Sequence, residues 1–226
     1  MIDDISLDRL NMQEGARYLG YGTDTPDNNV MRLIKECEED ILRTAKPRYI
    51  YKVLNISGRD NGIYIEGTNL ILLGKSIREH LEGCGSIVLL CATLSSDMDK
   101  LIRITQIKDM AKAVIMDAFA GVAVEQLCDK AEEKIKEEFN DKYFTYRFGF
   151  GYGDLPIEQI PECLNILNAQ KTVGVLLEGG MMSPSKSVAC IIGISNNEIK
   201  SRKKGCITCN MRDKCSFRIR GERCGF

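Results

Sequence analysis

Ten consecutive residues, Arg147-Phe148-Gly149-Phe150-Gly151-Tyr152-Gly153-Asp154-Leu155-Pro156, hold one guanidinium, three aromatic rings and three glycines. Arg offers a planar fork to a carboxylate, an aromatic face accepts a nucleobase or a cation, and glycine allows φ > 0 or close approach of backbone to a ligand. Those are the parts needed to hold a small zwitterion that carries a base. The same run also fits a strand that ends in a glycine-bulged turn, with Asp154 capping a following helix and Pro156 in its first turn.

A second cluster is Cys206-x2-Cys209-x5-Cys215-x8-Cys224, which follows the basic run Lys200 to Gly205. Four thiols that open with C-x-x-C could wrap one metal, either zinc or an iron-sulfur cluster. In a short polar tail with almost no core, that metal would supply folding energy. Free thiols on a basic tail are the other reading. Cys37, Cys84, Cys91, Cys128, Cys163 and Cys190 sit singly in apolar patterns and read as core. The only histidine, His80, lies among Arg78, Glu79 and Glu82. Those neighbours predict an exposed helix end, and no nucleophile-histidine engine is expected elsewhere.

The pattern R-x-x-x-G-Y-G-D-x-P at 147–156, followed by Met182-Ser183-Pro184-Ser185-Lys186-Ser187, resembles the activation domain of cobalamin-dependent methionine synthase. It resembles in particular the small standalone forms of that domain. Arg17-Tyr18-Leu19-Gly20-Tyr21-Gly22 and the order of elements also match, so the resemblance spans residues 10 to 195. Phe148-Gly149-Phe150 departs from the family, where a small residue and a proline are often seen before the Gly-Tyr pair.

The resemblance implies a protein that binds S-adenosylmethionine (AdoMet) and offers its methyl group to a cobalamin oxidised to the inactive cob(II) state. It implies a reactivation subunit supporting reductive methylation of cob(II)alamin on a partner, either a methionine synthase or another corrinoid protein. An electron donor such as flavodoxin or ferredoxin would complete this methyltransferase system of methionine biosynthesis. Carried over residue by residue, Arg147 would meet the amino-acid end of AdoMet. Phe148, Gly151 and Tyr152 would meet the adenosine, and Ser183 and Ser185 would line the same cleft. Glu125 is near a stretch where the family supplies an acidic group, and by itself reads as solvated. No catalytic side chain is implied, because the sulfonium is already an activated donor and reduced cobalt is the nucleophile. An iron-sulfur cluster in the tail could relay the electron that reactivation needs, whereas zinc could only hold structure. Two other functions fit the same residues: an AdoMet-sensing or corrinoid-protein-binding module without turnover, and an iron-sulfur electron-transfer protein.

The rest of the chain must position these groups. With 226 residues it is long enough for one sizeable core, and its net charge of −1 argues against a general nucleic-acid or membrane-surface binder. No apolar run reaches membrane-span length and the first residues are acidic, so a cytoplasmic protein with reduced thiols is expected. Thr25-Pro26-Asp27 opens a helix carrying Val30, Leu33, Ile34, Cys37, Ile41 and Leu42 on one face until Pro47. Tyr49 to Ile56, Gly62 to Glu66 and Asn69 to Leu73 predict antiparallel strands, with Gly67-Thr68-Asn69 as a hairpin turn. Ser76 to Leu81 predicts a short helix, and Ser86 to Thr93 a buried central strand.

Ser96 to Ile107 and Asp109 to Phe139 predict one extended helical stretch, with Ala111 to Ala123 crossing the core. Lys142 to Arg147 and Thr172 to Leu177 predict strands on either side of a helix over Leu155 to Leu167, and Ser187 to Ser195 a closing strand. The sum is a mixed α/β (α+β) fold, a largely antiparallel sheet covered by helices. One AdoMet-binding domain would take residues 1–198 and the cysteine-rich tail residues 199–226.

Overall fold

The computed structural model describes residues 5–22, 24–59, 61–199 and 213–219. The chain forms α1 (Met12–Tyr18), α2 (Asn28–Thr44), β1 (Arg48–Arg59), β2 (Gly62–Ile65), β3 (Ile71–Leu72), α3 (Lys75–His80) and β4 (Ser86–Thr93). It continues through α4 (Ser96–Lys108), α5 (Met110–Glu138), β5 (Tyr143–Phe144), β6 (Phe148–Gly149), a 3-10 turn (Ile157–Gln159), α6 (Ile160–Leu167) and α7 (Ala169–Thr172). The hairpin β7 (Leu176–Glu178) and β8 (Met181–Ser183), strand β9 (Ser187–Ser195) and the short α8 (Ser216–Ile219) follow.

β4 explains the architecture. It pairs antiparallel with β1 on one side and with β9 on the other, in the sheet order β3-β2-β1-β4-β9-β5, with β6 also on β9. Val88, Leu90 and Ala92 pack with Ile34, Cys37, Met98, Phe119 and Leu127 from α2, α4 and α5. Ile87, Leu89 and Cys91 face the other way, against Ile77 of α3, Leu81 just after it, and Cys163, Leu164 and Leu167 of α6. A strand covered by helices on both faces has no solvent side, so its sequence is apolar without alternation. Each of its large side chains contributes about 1.5–3 kcal/mol by leaving water. The mixed α/β fold with an antiparallel sheet is the one the pattern predicts, and every strand pairing described is antiparallel.

Local chemistry sets several element ends. Asp27 caps α2 by accepting from Asn29 N at 2.8 Å and Val30 N at 3.1 Å. The stretch from Ser96 to Phe139 is two helices. Asp109 leaves the helical region with φ −154° and ψ 103°, ends α4, and caps α5 by accepting from Lys112 N at 3.0 Å. The strand expected over 142–147 shortens to β5, and pairing with β9 resumes only beyond it at β6, because between them the Thr145 hydroxyl accepts the Gly193 N–H at 2.7 Å, in place of a backbone carbonyl. Thr172 closes α7, and the strand begins at Leu176 after Gly174, whose φ is +79°. Among the described residues no helix is long and apolar enough to cross a membrane.

Candidate functional site

The 29-residue helix α5 supplies one wall. Asp117, Gly121, Glu125, Asp129 and Glu132 recur at spacings of four, four, four and three, so they share one face. At the near end Lys186 donates to Asp117, with Nζ 2.8 Å from Oδ1 and 3.0 Å from the main-chain oxygen. Next along the face, Gly121 leaves room for Tyr18 at the end of α1. A Cβ at Gly121 would lie 3.4 Å from Tyr18 Cε2. The Arg17 guanidinium sits 4.7 Å above the Tyr18 ring. Eight residues separate Asp117 from Glu125, about 12 Å of helix at 1.5 Å per residue.

At the far end stands Arg147. Its Nη2 donates to Glu125 Oε2 at 3.1 Å, and its Nη1 to Asp129 Oδ1 at 2.7 Å and Glu132 Oε2 at 2.9 Å. The Arg147 side chain is only 13% exposed. Burial opposes its charge, yet the Asp129 and Glu132 carboxylates more than offset that, and its pKa is raised. The Cys128 thiol beneath it is pushed well above its ordinary value by burial and is neutral, so the carboxylates carry the effect. Lys136 Nζ also lies 2.6 Å from Glu132 Oε1, so two cations face three carboxylates and the cluster keeps one excess negative charge.

That arrangement changes the reading of two residues. Arg147, expected to meet a ligand carboxylate, is already held by the protein's own acids. Glu125, expected to be solvated, is its partner, and with 46% of its side chain exposed it is the member of the pair that faces outward. Tyr18 lies in the same field. Burial raises its hydroxyl to about 12, with Glu14 and Glu125 adding to the shift and Tyr152 contributing.

The motif turn follows Arg147 and packs through Phe148, Phe150 and Leu155 on the α3 and α6 side of the sheet. β6 pairs with β9 through Phe148 opposite Ile191 and Gly149 opposite Cys190, and the chain then runs towards the start of β9. Gly151 and Gly153 have φ of +85° and +57°, where only glycine is unstrained. Tyr152 N donates to Gly149 O at 3.1 Å, and Gly151 N to Leu155 O at 3.0 Å. Tyr152 is 68% exposed, folded back over Gly149, whose absent Cβ would meet its ring at 2.9 Å. Phe148 is buried instead, its ring 4.8 Å from that of His80 and 6.1 Å from that of Tyr152. It supports the turn from below. Asp154 does not cap the helix that follows it. Its carboxylate accepts from the first two amides of α3, Lys75 N at 2.7 Å and Ser76 N at 2.8 Å.

Ser183 ends β8 and Ser187 opens β9, so this segment meets the same end of β9 as the motif turn. Ser185 turns to α4, where its N and Oγ donate to Asp99 at 2.8 and 2.7 Å. Nearby, Ser95 has φ +78°, and its Oγ is a buried side-chain oxygen with no hydrogen-bond partner among the described residues. His80, expected at an exposed helix end, is 4% exposed. Its Nε2 lies 2.9 Å from Tyr146 O and its ring packs edge-on against Tyr146. The cation and carboxylates around it in sequence point elsewhere, because only one side of a six-residue helix meets the core.

Of the lone cysteines, Cys37, Cys91, Cys128, Cys163 and Cys190 are buried and Cys84 is half-buried. Cys215 precedes α8, while Cys206, Cys209 and Cys224 lie outside the described residues. Among the described residues no cluster of three metal-ligating side chains occurs.

The chain is similar to a known fold. A crystal structure of the MetH reactivation domain bound to AdoHcy superimposes with a TM-score of 0.66 at 16% identity, covering 94% of this chain and 82% of that one. The likeness is one of fold: a mostly antiparallel sheet under helices. No protein-family model matches the sequence, and none of the curated proteins does.

Sequence reasoning missed Asp129, Glu132 and Tyr18 as site residues. The signal was present in the repeat of small or acidic residues on one face of α5, a stripe that an amphipathic helix with a merely solvated face has no need to interrupt with Gly121.

Proposed function

We propose that the protein binds AdoMet in the cleft between α5, the C-terminal end of α1 and the motif turn, and reactivates a partner's corrinoid by reductive methylation. The observation that carries this reading is the outward-facing carboxylate of Glu125, pinned by Arg147 and close enough to the exposed Tyr18 to act on its hydroxyl, as the exposed Tyr152 also does. AdoMet has two cationic centres, an ammonium and a sulfonium. A carboxylate and electron-rich aromatic faces are the partners both prefer. Arg147 then acts from behind by orienting Glu125, Tyr152 packs its ring on the adenosine or the sulfonium, and Gly151 lets the backbone approach. Phe148 supports Tyr152, and Ser183 and Ser185 close the end near Asp99. The AdoHcy bound to the reactivation domain of like fold supports the same ligand class.

The chain needs no nucleophile of its own. One electron from a donor such as flavodoxin or ferredoxin reduces the partner's cob(II)alamin, the reduced cobalt takes the methyl group, and AdoHcy departs without its sulfonium charge. The residues described above bind and aim the donor. The tail over 199–226, with Cys206, Cys209, Cys215 and Cys224, is the proposed seat of a zinc ion or an iron-sulfur cluster.

Calorimetric titration tests the ligand. AdoMet is expected to bind more tightly than AdoHcy, because the site carries excess negative charge and only AdoMet has a sulfonium. If neither binds, the reading fails. Transfer of a labelled methyl group from AdoMet to a partner's reduced corrinoid then separates reactivation from an AdoMet-sensing module, which would bind without transfer.

A further inference from the structure

Segments far apart in the chain are tied together around the motif turn. Asp154 reaches back 79 and 78 residues to accept from Lys75 N and Ser76 N. Gln159 reaches back as well, its Nε2 donating to Ile71 O at 2.5 Å and its Oε1 accepting from Leu73 N at 3.3 Å. From the other side, His80 Nε2 meets Tyr146 O at 2.9 Å. A carbonyl oxygen only accepts, so the proton is on Nε2, which fixes the ring's orientation. The His80 ring then lies against Tyr146 and Phe148, with centroids 4.4 and 4.8 Å away.

We propose that α3 is a splint for the motif turn, with Asp154 and His80 as the positioning residues that join the two. Locally, α3 has no cap of its own. Gly74 stands at its N-cap with φ +115° and offers no side chain, so Asp154 supplies the missing acceptor from the turn. The close approach depends on two glycines. A Cβ on Gly74 would lie 2.7 Å from Asp154 O, and one on Gly153 would lie 2.5 Å from Ser76 Cβ. Tyr146 immediately precedes Arg147, and Asp154 immediately follows Gly153. The two ties therefore bracket every motif residue assigned to the ligand.

The physical need for a splint lies in the turn's composition. Gly149, Gly151 and Gly153 give it the largest backbone freedom of any residues, and ordering each costs about 1–2 kcal/mol. A turn left loose would have to be ordered when ligand binds, which weakens binding. Fixing both ends against a helix that is itself packed through Ile77 and Leu81 removes that penalty in advance.

The consequence for affinity rests on the AdoMet reading above, and the experiment separates the two. Asp154→Ala removes both acceptors, while Asp154→Asn keeps a capping oxygen. AdoHcy is titrated calorimetrically into each full-length variant, and amide hydrogen exchange is followed by mass spectrometry. Asp154→Ala is expected to bind AdoHcy at least about tenfold more weakly, with faster exchange over 73–77 and 149–154 and unchanged exchange in β4 and β9. Asp154→Asn is expected to recover affinity to within about threefold. Wild-type affinity in Asp154→Ala, alongside faster exchange over 73–77, overturns the proposal. If Asp154→Ala does not fold, His80→Leu cuts the other tie and is judged by the same two readouts. If the wild-type protein itself does not bind AdoHcy, the AdoMet reading fails and the splint is decided by exchange alone: undiminished protection over 149–154 in the variant sinks it.

Discussion

Replacing Arg147 by Ala distinguishes a surface ion pair from a buried charge cluster. An exposed pair contributes about 0–1 kcal/mol, whereas removing one partner from a buried pair costs about 3–5 kcal/mol because a charge is left without compensation. Arg147 falls between these limits. The side chains of Asp129 and Glu125 are 60% and 46% exposed and can turn to water, but Glu132 is as buried as Arg147, each 13% exposed. Glu132 also holds Lys136, whose Nζ lies 2.6 Å from its Oε1, so the carboxylate left behind keeps one cation and the expected loss is about 1–2 kcal/mol, between the two limits. For a chain of this length that lowers the melting temperature by about 2–8 °C. Denaturant melts of Arg147→Ala, Glu132→Gln and the double variant measure it as a cycle. Because each single variant breaks the same Arg147–Glu132 contact, the loss in the double variant should fall short of the sum of the single losses by at least about 0.5 kcal/mol. A loss below about 0.5 kcal/mol, or additive single effects, would show that the guanidinium is solvated and that the cluster does not hold Glu125 in place.

Four further expectations follow from the geometry. If Tyr152 presents its ring face to the ligand, Tyr152→Ala should reduce AdoMet affinity more than Tyr152→Phe in a thermal-shift series, and the reverse order would assign the contact to the hydroxyl. Ser95→Gly should stabilise the protein by about 1–3 kcal/mol in denaturant melts, since it relieves a positive φ and deletes an unpartnered hydroxyl; a destabilised variant would refute the strain. The hydrogen bonds from Lys75 N and Ser76 N hold the Asp154 carboxyl below the usual aspartate range. Its stabilisation is therefore complete above that range and is lost as pH falls through the lowered value, so the Lys75 and Ser76 amide resonances should titrate with a midpoint below that of a free aspartate, and a midpoint at or above it would contradict the cap. Elemental analysis of anaerobically prepared protein should find about one zinc, or several irons with matching sulfide, per chain, and free alkylation of Cys206, Cys209, Cys215 and Cys224 would exclude a shared metal.

Elements and the two chemistry-bearing segments were legible in the sequence wherever the signal is local. Asp27 followed by an apolar stripe dictates α2, because a cap and a 3.6-residue period act within a few turns. The unbroken apolar run at 86–93 dictates a strand covered on both faces, since any solvent face would have imposed alternation. Glycines flanking Tyr152 in the motif dictate a tight turn, as glycine takes positive φ values without the strain a side chain brings.

Tertiary structure alone decided which groups those segments meet. Arg147 could have faced a ligand or a neighbour, and nothing in its spacing names Glu125, Asp129 and Glu132, which come from a helix packed beside it. Asp154 has the form of a local helix cap, yet it serves a helix 79 residues earlier, because the intervening sheet brings Lys75 within 2.7 Å. His80 sits among charges and is buried all the same, since it shares the inward side of its helix with Ile77 while Arg78 and Glu79 stay in water. Short-range rules act on the backbone of a few residues, whereas a side chain's partner depends on which distant segment the core packs against it. The partners in the candidate cleft are therefore properties of the fold.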